Sequence, residues 1–283
     1  MATLRDIRNR ITAVEKTQKI TRAMKMVAAA KLARAQNAIN AARPYAEKMQ
    51  ALLASVASGA DPDAHRLLVR RESVRKLDVV LFTSDRGLCG AYNANLIKHA
   101  ERLSVSRRPE LDSLALIPVG RRGGEYFQRR GAAVPRHWEG LRTITPEFAA
   151  EIADYLIERF ESGEADEVVL VYSEFQSALT QHPGDEILLP VQPGESHLQR
   201  VYEMEPGPEA LLGMLVPRAV EFAVFRALLE NQAGEHGARM TAMDNATNNT
   251  EELIRTLTLD FNKARQAAIT SELVEIVSGA EAL

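Results

Sequence analysis

MTAMDNATNNTEELIRTLTLDFNKARQAAIT, residues Met240–Thr270, is the stretch on which the reading of this chain turns. Within it Met240, Met243, Thr247, Thr250, Ile254, Leu257, Phe261, Ala264 and Ala268 step by three and four without a break. The rhythm runs back through His236, Ala233, Leu229, Arg226, Phe222, Ala219, Leu215 and Leu212. Such stepping puts all of these residues on one side of a helix, and a seam kept up over about eight heptads signals a coiled coil. Many seam residues are small or polar, so a partner helix can approach closely without being locked by bulky apolar knobs. Pro217 predicts a kink, since it removes one backbone donor. From Pro217 to Ala280 the helix would span roughly 95 Å at ~1.5 Å per residue.

The partner lies at the other end of the chain. From Thr3 to about Ser58 there is no Gly, and the only Pro is Pro44. Leu4, Ile7, Ile11 and Val14 keep the helical step, after which the apolar line drifts to Ile20, Met24 and Val27, then to Ala28, Leu32 and Ala35. Drift predicts either loose winding or a helix gripped on more than one face. No cap residue stands out, and the segment is too long for an ordinary globular helix.

Charge points to the same pairing. Residues 1–50 hold eleven Lys/Arg against three acids, and residues 209–283 hold six against eleven. The two helices therefore attract and are expected to pack antiparallel. If they meet with Leu52 near Gly213, partners have numbers summing to about 265, which sets Leu4 beside Phe261 and Met24 near Thr241. Everything beyond about residue 262 then has no partner in the chain, yet it carries Ile269, Leu273, Ile276 and Val277. A lone helix with such residues needs another protein or a second copy to cover them.

Between the helices the pattern changes. KLDVVLFTSD (Lys76–Asp85) is a buried strand run, RGLCG (Arg86–Gly90) a glycine turn, and a helix follows from about Tyr92 to Leu103. Leu114–Gly120 predicts a second strand, Arg121–Arg130 and Pro146–Glu161 two helices, and Glu167–Ser173 a third strand. Shorter extended pieces are expected around Ile187–Pro190 and Arg200–Met204. Alternating strands and helices imply an α/β layer domain with a mainly parallel sheet. The chain thus reads as an N-terminal helix (residues 1–58), an inserted α/β domain (70–205) and a C-terminal helix (208–283).

The chain has 283 residues, with 46% hydrophobic and 5% aromatic content, so a core is affordable and a large aromatic pocket is not implied. Its single cysteine, Cys89, excludes an internal disulfide and a Cys-based zinc site within one chain. The six histidines, His65, His99, His137, His182, His197 and His236, show no metal-ligand spacing. No apolar run is long enough to span a bilayer. MATLRDIRNR reads as a cytoplasmic start and not as a signal peptide.

Two functions of other classes stay open at this level. SDRGLCGAYN (Ser84–Asn93) has the strand–turn–helix layout that cradles phosphates, which would suit a nucleotide-binding α/β enzyme. Against it, Gly87 and Gly90 do not make G-x-G-x-x-G, and no Gly-Lys-Ser/Thr follows. Arg121-Arg122-Gly123-Gly124 reads more simply as a solvated basic turn than as an anion site. The stripe Lys16, Lys19, Arg22, Lys25, Lys31 and Arg34 would suit a coiled-coil nucleic-acid binder. No aromatic residue precedes Tyr45 to stack on bases, and an acidic protein surface is the better match.

The residues at both ends carry a resemblance. MATLRDIRNRITAVEKTQKITRAMKMVAAAKLARAQ resembles the first helix of the γ subunits of F-type ATP synthases, and ENQAGEHGARMTAMDNATNNTEELIRTLTLDFNKARQAAITSELVEIVSGAEAL resembles their last. TSDRGLCGAYNANL resembles the first strand and turn of their Rossmann-like central domain. The resemblance covers the whole chain in order and is weakest from about Pro135 to Arg200. Chloroplast members carry an extra regulatory cysteine pair, absent here, and a bacterial member is implied. The resemblance implies the fold: a long antiparallel coiled coil of the two terminal helices with an inserted Rossmann-like α/β foot. It also implies a non-catalytic rotor shaft without cofactor or metal, one copy per complex, peripheral on the cytoplasmic face of the bacterial plasma membrane. Implied partners are the α and β subunits of an α3β3 hexamer, the ε subunit and the c-ring. By matching motifs, Met24, Lys25, Arg239, Arg265, Gln266, Thr270 and Glu272 would touch the β subunits, and Tyr202 and Glu205 would belong to the foot contact with ε and the c-ring. Where the family often has Tyr before the Glu-Pro pair, this chain has Met204.

Overall fold

The computed structural model of the chain describes residues 3–61, 64–141, 143–177, 180–193, 205 and 207–281. In order, its elements are α1 (Leu4–Ser58), β1 (Lys76–Phe82), α2 (Tyr92–Arg107), β2 (Ser113–Val119), α3 (Arg121–Arg129), α4 (Pro146–Glu161), β3 (Glu167–Phe175), β4 (Gln181–Leu189) and α5 (Pro208–Glu281), with one 3-10 turn at Arg108–Glu110. Contacts divide the chain into two compact units, Met1–Ala28 with Met240–Leu283, and Ala29–Arg239. This division cuts both long helices instead of following the composition changes near residues 58 and 208.

In the first unit α1 and α5 run antiparallel. The start of α1 is capped after all. Thr3 Oγ1 accepts from the Asp6 amide at 3.3 Å, and an Asp6 carboxylate oxygen accepts from the Thr3 amide at 3.0 Å. That is a capping box with Asp in the usual Glu place. The Thr3 hydroxyl, followed by its backbone amide, holds the Asp6 carboxyl below its ordinary value.

Two sequence expectations need correction here. The inner seam of α1 does not drift: Leu4, Ile7, Ile11, Val14 and Gln18 are partly covered and Thr21 is buried, in strict three–four steps, while Ile20 and Val27 stand 60% and 57% exposed. Following apolar residues misled the reading because two seam positions are polar. Thr21 Oγ1 lies 2.8 Å from Thr247 Oγ1 across the interface, so the buried hydroxyls satisfy each other. The register differs too. Thr21 meets Thr247, Lys25 meets Asp244 and Arg8 stacks on Phe261, giving sums of 268 and 269 where about 265 was expected. The unpartnered tail therefore starts a few residues later. Ile269, Leu273, Ile276 and Val277 in it are 49% to 67% exposed.

The hydroxyl pair permits a first prediction. Each hydroxyl also faces a carbonyl of its own helix, Met243 at 2.7 Å from Thr247 and Gln18 at 3.1 Å from Thr21; the shorter bond engages the Thr247 proton and leaves Thr21 as the better donor across the interface. Thr21→Val should cost about 1 kcal/mol by leaving Thr247 without its second partner, and Thr21→Val/Thr247→Val should recover much of that. A thermal double-mutant cycle checks it; strictly additive losses would mean that the two hydroxyls do not depend on each other.

The second unit holds the sheet, in strand order β2-β1-β3-β4. β1 pairs parallel with β2 and with β3, and β4 closes one edge antiparallel to β3. Alternate residues serve two cores. Val80, Phe82, Ile117, Val119, Val168 and Leu170 pack with α4 and α5, and Leu77, Val79, Leu81, Leu116, Val169 and Val171 pack with α2 and α3. The domain is thus a three-layer α/β fold with helices on both faces. The edge strand β4 is longer than the piece foreseen near Ile187–Pro190. Pro183, Gly184, Asp185 and Glu186 hide it, since a half-solvated edge strand tolerates residues that a central strand does not. The piece foreseen at Arg200–Met204 lies outside the described residues.

In this unit α5 is covered on two sides. The seam continues through Leu229, Ala233 and His236, and a second stripe of Val216, Val220, Val224, Ala227 and Leu228 is at most 1% exposed against the sheet. Pro217 sits within an α5 that continues from Pro208 to Glu281.

Candidate functional site

The Ser84–Asn93 turn and the start of α3 do not form an open phosphate cradle. Asp85, three residues beyond β1, accepts from the Arg121 amide at 3.1 Å and from the Gly140 and Leu141 amides at 3.0 and 2.8 Å. Thr83 Oγ1 accepts from the Gly123 amide at 2.9 Å. The amides that open α3 are therefore occupied by the chain's own oxygens, where an anion site would need them free. In the glycine turn, Ser84 and Asn93 bond each other, and the Ser84 hydroxyl donates to the Arg86 carbonyl at 2.6 Å. Cys89 is 2% exposed, and burial pushes its thiol up, away from nucleophile chemistry. Among the described residues no group of His, Cys, Asp and Glu could hold a metal ion. A cleft of about 290 Å³ is lined only by α1, α5 and Glu186, with Ile39, Met49, Leu53, Phe222 and Arg226 among its walls. It borrows nothing from the loops at the C-terminal ends of the parallel strands, where open α/β sheets bind ligands.

What remains are surfaces. In the first unit Met24 and Lys25 lie half-buried at the edge of the seam, and Met26 beside them is 63% exposed. Lys25 Nζ lies 2.6 Å from Asp244, with both side chains about four-tenths exposed. A pair this open contributes at most about 1 kcal/mol and leaves the lysine able to exchange partners. Arg265, Gln266, Thr270 and Glu272 are all exposed on α5. Thr270 folds its hydroxyl back to the Gln266 carbonyl at 2.9 Å, so Thr270 and Gln266 lie on one side of the helix. The exposed Ile269 and Leu273 are interleaved with these polar residues, which makes the end of α5 a mixed surface.

The second unit places Arg239 in a setting the sequence did not suggest. Its side chain is only 11% exposed and contacts Glu235 at 2.6 Å. One terminal nitrogen also donates to the Arg86 and Gly87 carbonyls at 3.3 and 3.2 Å. The other lies 3.3 Å from His236 Nδ1, which must accept because a guanidinium only donates. Burial, with help from the Arg239 and Lys31 charges, pushes that imidazole down to about 4, so it is neutral and free to accept. Asn231 and Glu235 escaped the sequence reading. Asn231, Glu235 and Arg239 step by four along α5 and face the glycine turn together; three polar residues at that spacing beside a valine stripe were the signal. Arg226 leaves the seam to meet Glu186 on β4 at 2.5 Å. Of the foot residues, Glu205 is exposed in a bend, and Tyr202 and Met204 lie outside the described residues.

With this geometry in view, the comparisons fall in one direction. The family described as ATP synthase matches residues 3–283. The ATP synthase gamma chain of Moorella thermoacetica is 50% identical over 287 residues, covering 100% of both chains. That of Chlorobium phaeobacteroides is 45% identical over 292 residues, covering 100% of this chain and 99% of its own. Among solved structures, a chain of the Tetrahymena thermophila mitochondrial ATP synthase central stalk and c-ring is 25% identical and superposes with a TM-score of 0.62, over 80% of this chain and 99% of that one. A chain of the Euglena gracilis mitochondrial ATP synthase in rotational state 3 shares the fold at 20% identity and a TM-score of 0.69, over 99% of this chain and 94% of that one. Similarity that runs from residue 3 to residue 283, through both helices and the sheet between them, means that the chain belongs to the ATP synthase gamma-chain family.

Proposed function

We propose that the chain is the central rotor shaft of an F1Fo ATP synthase, coupling proton-driven rotation of a c-ring to ATP synthesis and hydrolysis in the β subunits. The observation that carries this reading is the end of α5, where Ile269, Leu273, Ile276 and Val277 stay exposed beyond the last partner that α1 provides. A helix of that kind is suited to an apolar bearing, and the top of an α3β3 hexamer would supply one. The chain would contribute no catalytic group. Its asymmetric surface would favour a different conformation in each of three β subunits, so that rotation shifts their affinities in turn.

In this reading Met24, Lys25, Arg265, Gln266, Thr270 and Glu272 face the β subunits. Arg239 takes part through the turn it holds, since its guanidinium is bonded within the chain. Tyr202 and Glu205 face ε and the c-ring. One copy would serve each complex, peripheral on the cytoplasmic face of the bacterial plasma membrane. No described helix is long and apolar enough to cross a membrane.

Met24→Lys tests the assignment. Lys25 already has Asp244, so the new cation would be unpaired and would seek an acidic β loop. An added ion pair at a partly desolvated interface strengthens binding by about one to a few kcal/mol, and unequally among rotor positions. Proton pumping per ATP hydrolysed should fall in membranes carrying the variant, with the complex still assembled. Wild-type pumping efficiency would remove Met24 from the contact.

A further inference from the structure

We propose that Arg239 is a positioning residue that, with Asn231 and Glu235, fastens the Ser84–Ala91 turn to α5 so that turn and helix move as one body. The three side chains lie on one face of α5, each four residues from the next; Asn231 and Arg239 meet the turn or its flanks, and Glu235 meets Arg239. Asn231 Nδ2 donates to the Thr83 carbonyl at 3.3 Å, just before the turn. The Tyr92 hydroxyl, just after it, lies 2.8 Å from the Asn231 carbonyl and 2.7 Å from its side-chain oxygen. Arg239 closes the middle by donating to the carbonyls of Arg86 and Gly87, while Glu235 holds the guanidinium in place.

The turn needs such a fastening. Leu88 has φ of 63° and its side chain is 63% exposed, so a bulky residue sits in the left-handed region without burial to offset the strain. The Gly87 carbonyl has Arg239 on α5 as its partner, and the Arg86 carbonyl, which the Ser84 hydroxyl also reaches at 2.6 Å, gains a second one there. A guanidinium is suited to this because its planar fork reaches several acceptors at once, which an ammonium on a flexible stem does not. Glu235 is nine-tenths buried, and burial pushes its carboxyl up against the pull of Arg239. Each partner is therefore costly to keep without the other.

The chain carries its own reporter in Cys89, its only cysteine, which lies inside the turn and is 2% exposed. Arg239→Gln should raise the rate of Cys89 alkylation by iodoacetamide in the folded full-length chain by about tenfold or more, because the turn opens locally. The sign discriminates between explanations. The Arg239 charge draws the Cys89 thiol down, so removing that charge from a turn that stayed closed would raise the thiol further and slow alkylation. Arg239→Lys keeps the charge and loses the fork, and it should also label faster than wild type. Val220→Ala, in the sheet-facing core of α5 about three helical turns before Asn231, serves as the stability control and should leave the rate near that of wild type. Unchanged or slower labelling in Arg239→Gln overturns the proposal, as does equal acceleration in a Val220→Ala variant with the same melting temperature. The readout does not depend on the rotor assignment, which Met24→Lys tests separately.

Discussion

Arg159→Met should cost about 3–5 kcal/mol at neutral pH, because it strands a buried carboxylate. Asp78 lies on the central strand β1 and is 1% exposed. Arg159, on α4, reaches it with Nε at 2.6 Å and Nη2 at 3.1 Å, a two-bond fork with the carboxylate. The two partners respond differently. Burial pushes the Asp78 carboxyl up despite the fork, while the same fork holds the Arg159 guanidinium above its ordinary value. The bond geometry decides which form is present, since a carboxyl accepting from both sides is ionised. An acid whose folded value is raised favours folding below its unfolded value and loses that contribution as pH rises through the folded value. Without Arg159 the raising is larger, so the deficit of the variant should be greatest at neutral pH. It should shrink as pH falls toward the unfolded aspartate value near ~3.9. Urea unfolding of variant and wild type across that range gives the test, and a deficit that is flat with pH would show that Asp78 was not the group left unpaired. Replacing both partners with apolar residues, Asp78→Leu/Arg159→Met, should recover most of the loss. By contrast, breaking the exposed Arg75–Asp112 contact, both side chains more than six-tenths open, should change stability by less than about 1 kcal/mol.

Gly120→Ala should be at least as damaging, at about 4 kcal/mol or more, and soluble yield is expected to drop with it. Gly120 follows β2 with φ of +119°, which L side chains rarely adopt. A Cβ there would lie 2.3 Å from the Thr83 carbonyl oxygen and 2.7 Å from Thr83 Oγ1. The carbonyl belongs to main chain that also takes part in β1–β2 pairing, with the Thr83 amide 2.8 Å from the Val119 carbonyl. Relief of the clash therefore means prising the parallel strands apart at their C-terminal ends. Gly140→Ala is the companion measurement. Its φ is +90° and an added Cβ meets nothing within 4 Å, so it reports backbone strain alone, about 1–2 kcal/mol. If the two variants lose the same stability, close approach to Thr83 is not what selects glycine at position 120.

The long elements were legible in the sequence because their periods are long. A three–four seam over seventeen positions of α5 leaves one face for a partner, and Pro146–Glu161 read correctly as a helix at both ends because proline at the first turn and a threonine cap mark its start. The parallel strands were legible for a related reason: buried on both faces, they are continuous runs of β-branched and apolar residues. Tertiary structure decided the rest, where a residue's role depends on a neighbour distant in the chain. Gln18 and Thr21 look like surface residues until Thr247 faces one of them across the seam, and so the strict register was mistaken for drift. Asp85 looks like part of a phosphate loop until the amides of Arg121, Gly140 and Leu141 converge on it. Arg239 shows no internal partner in the sequence, because the Arg86 and Gly87 carbonyls it meets lie 153 and 152 residues away along the chain. Periodicity records how often a residue faces the interior, but a polar side chain is accounted for only by its particular partner, and that partner is set by folding.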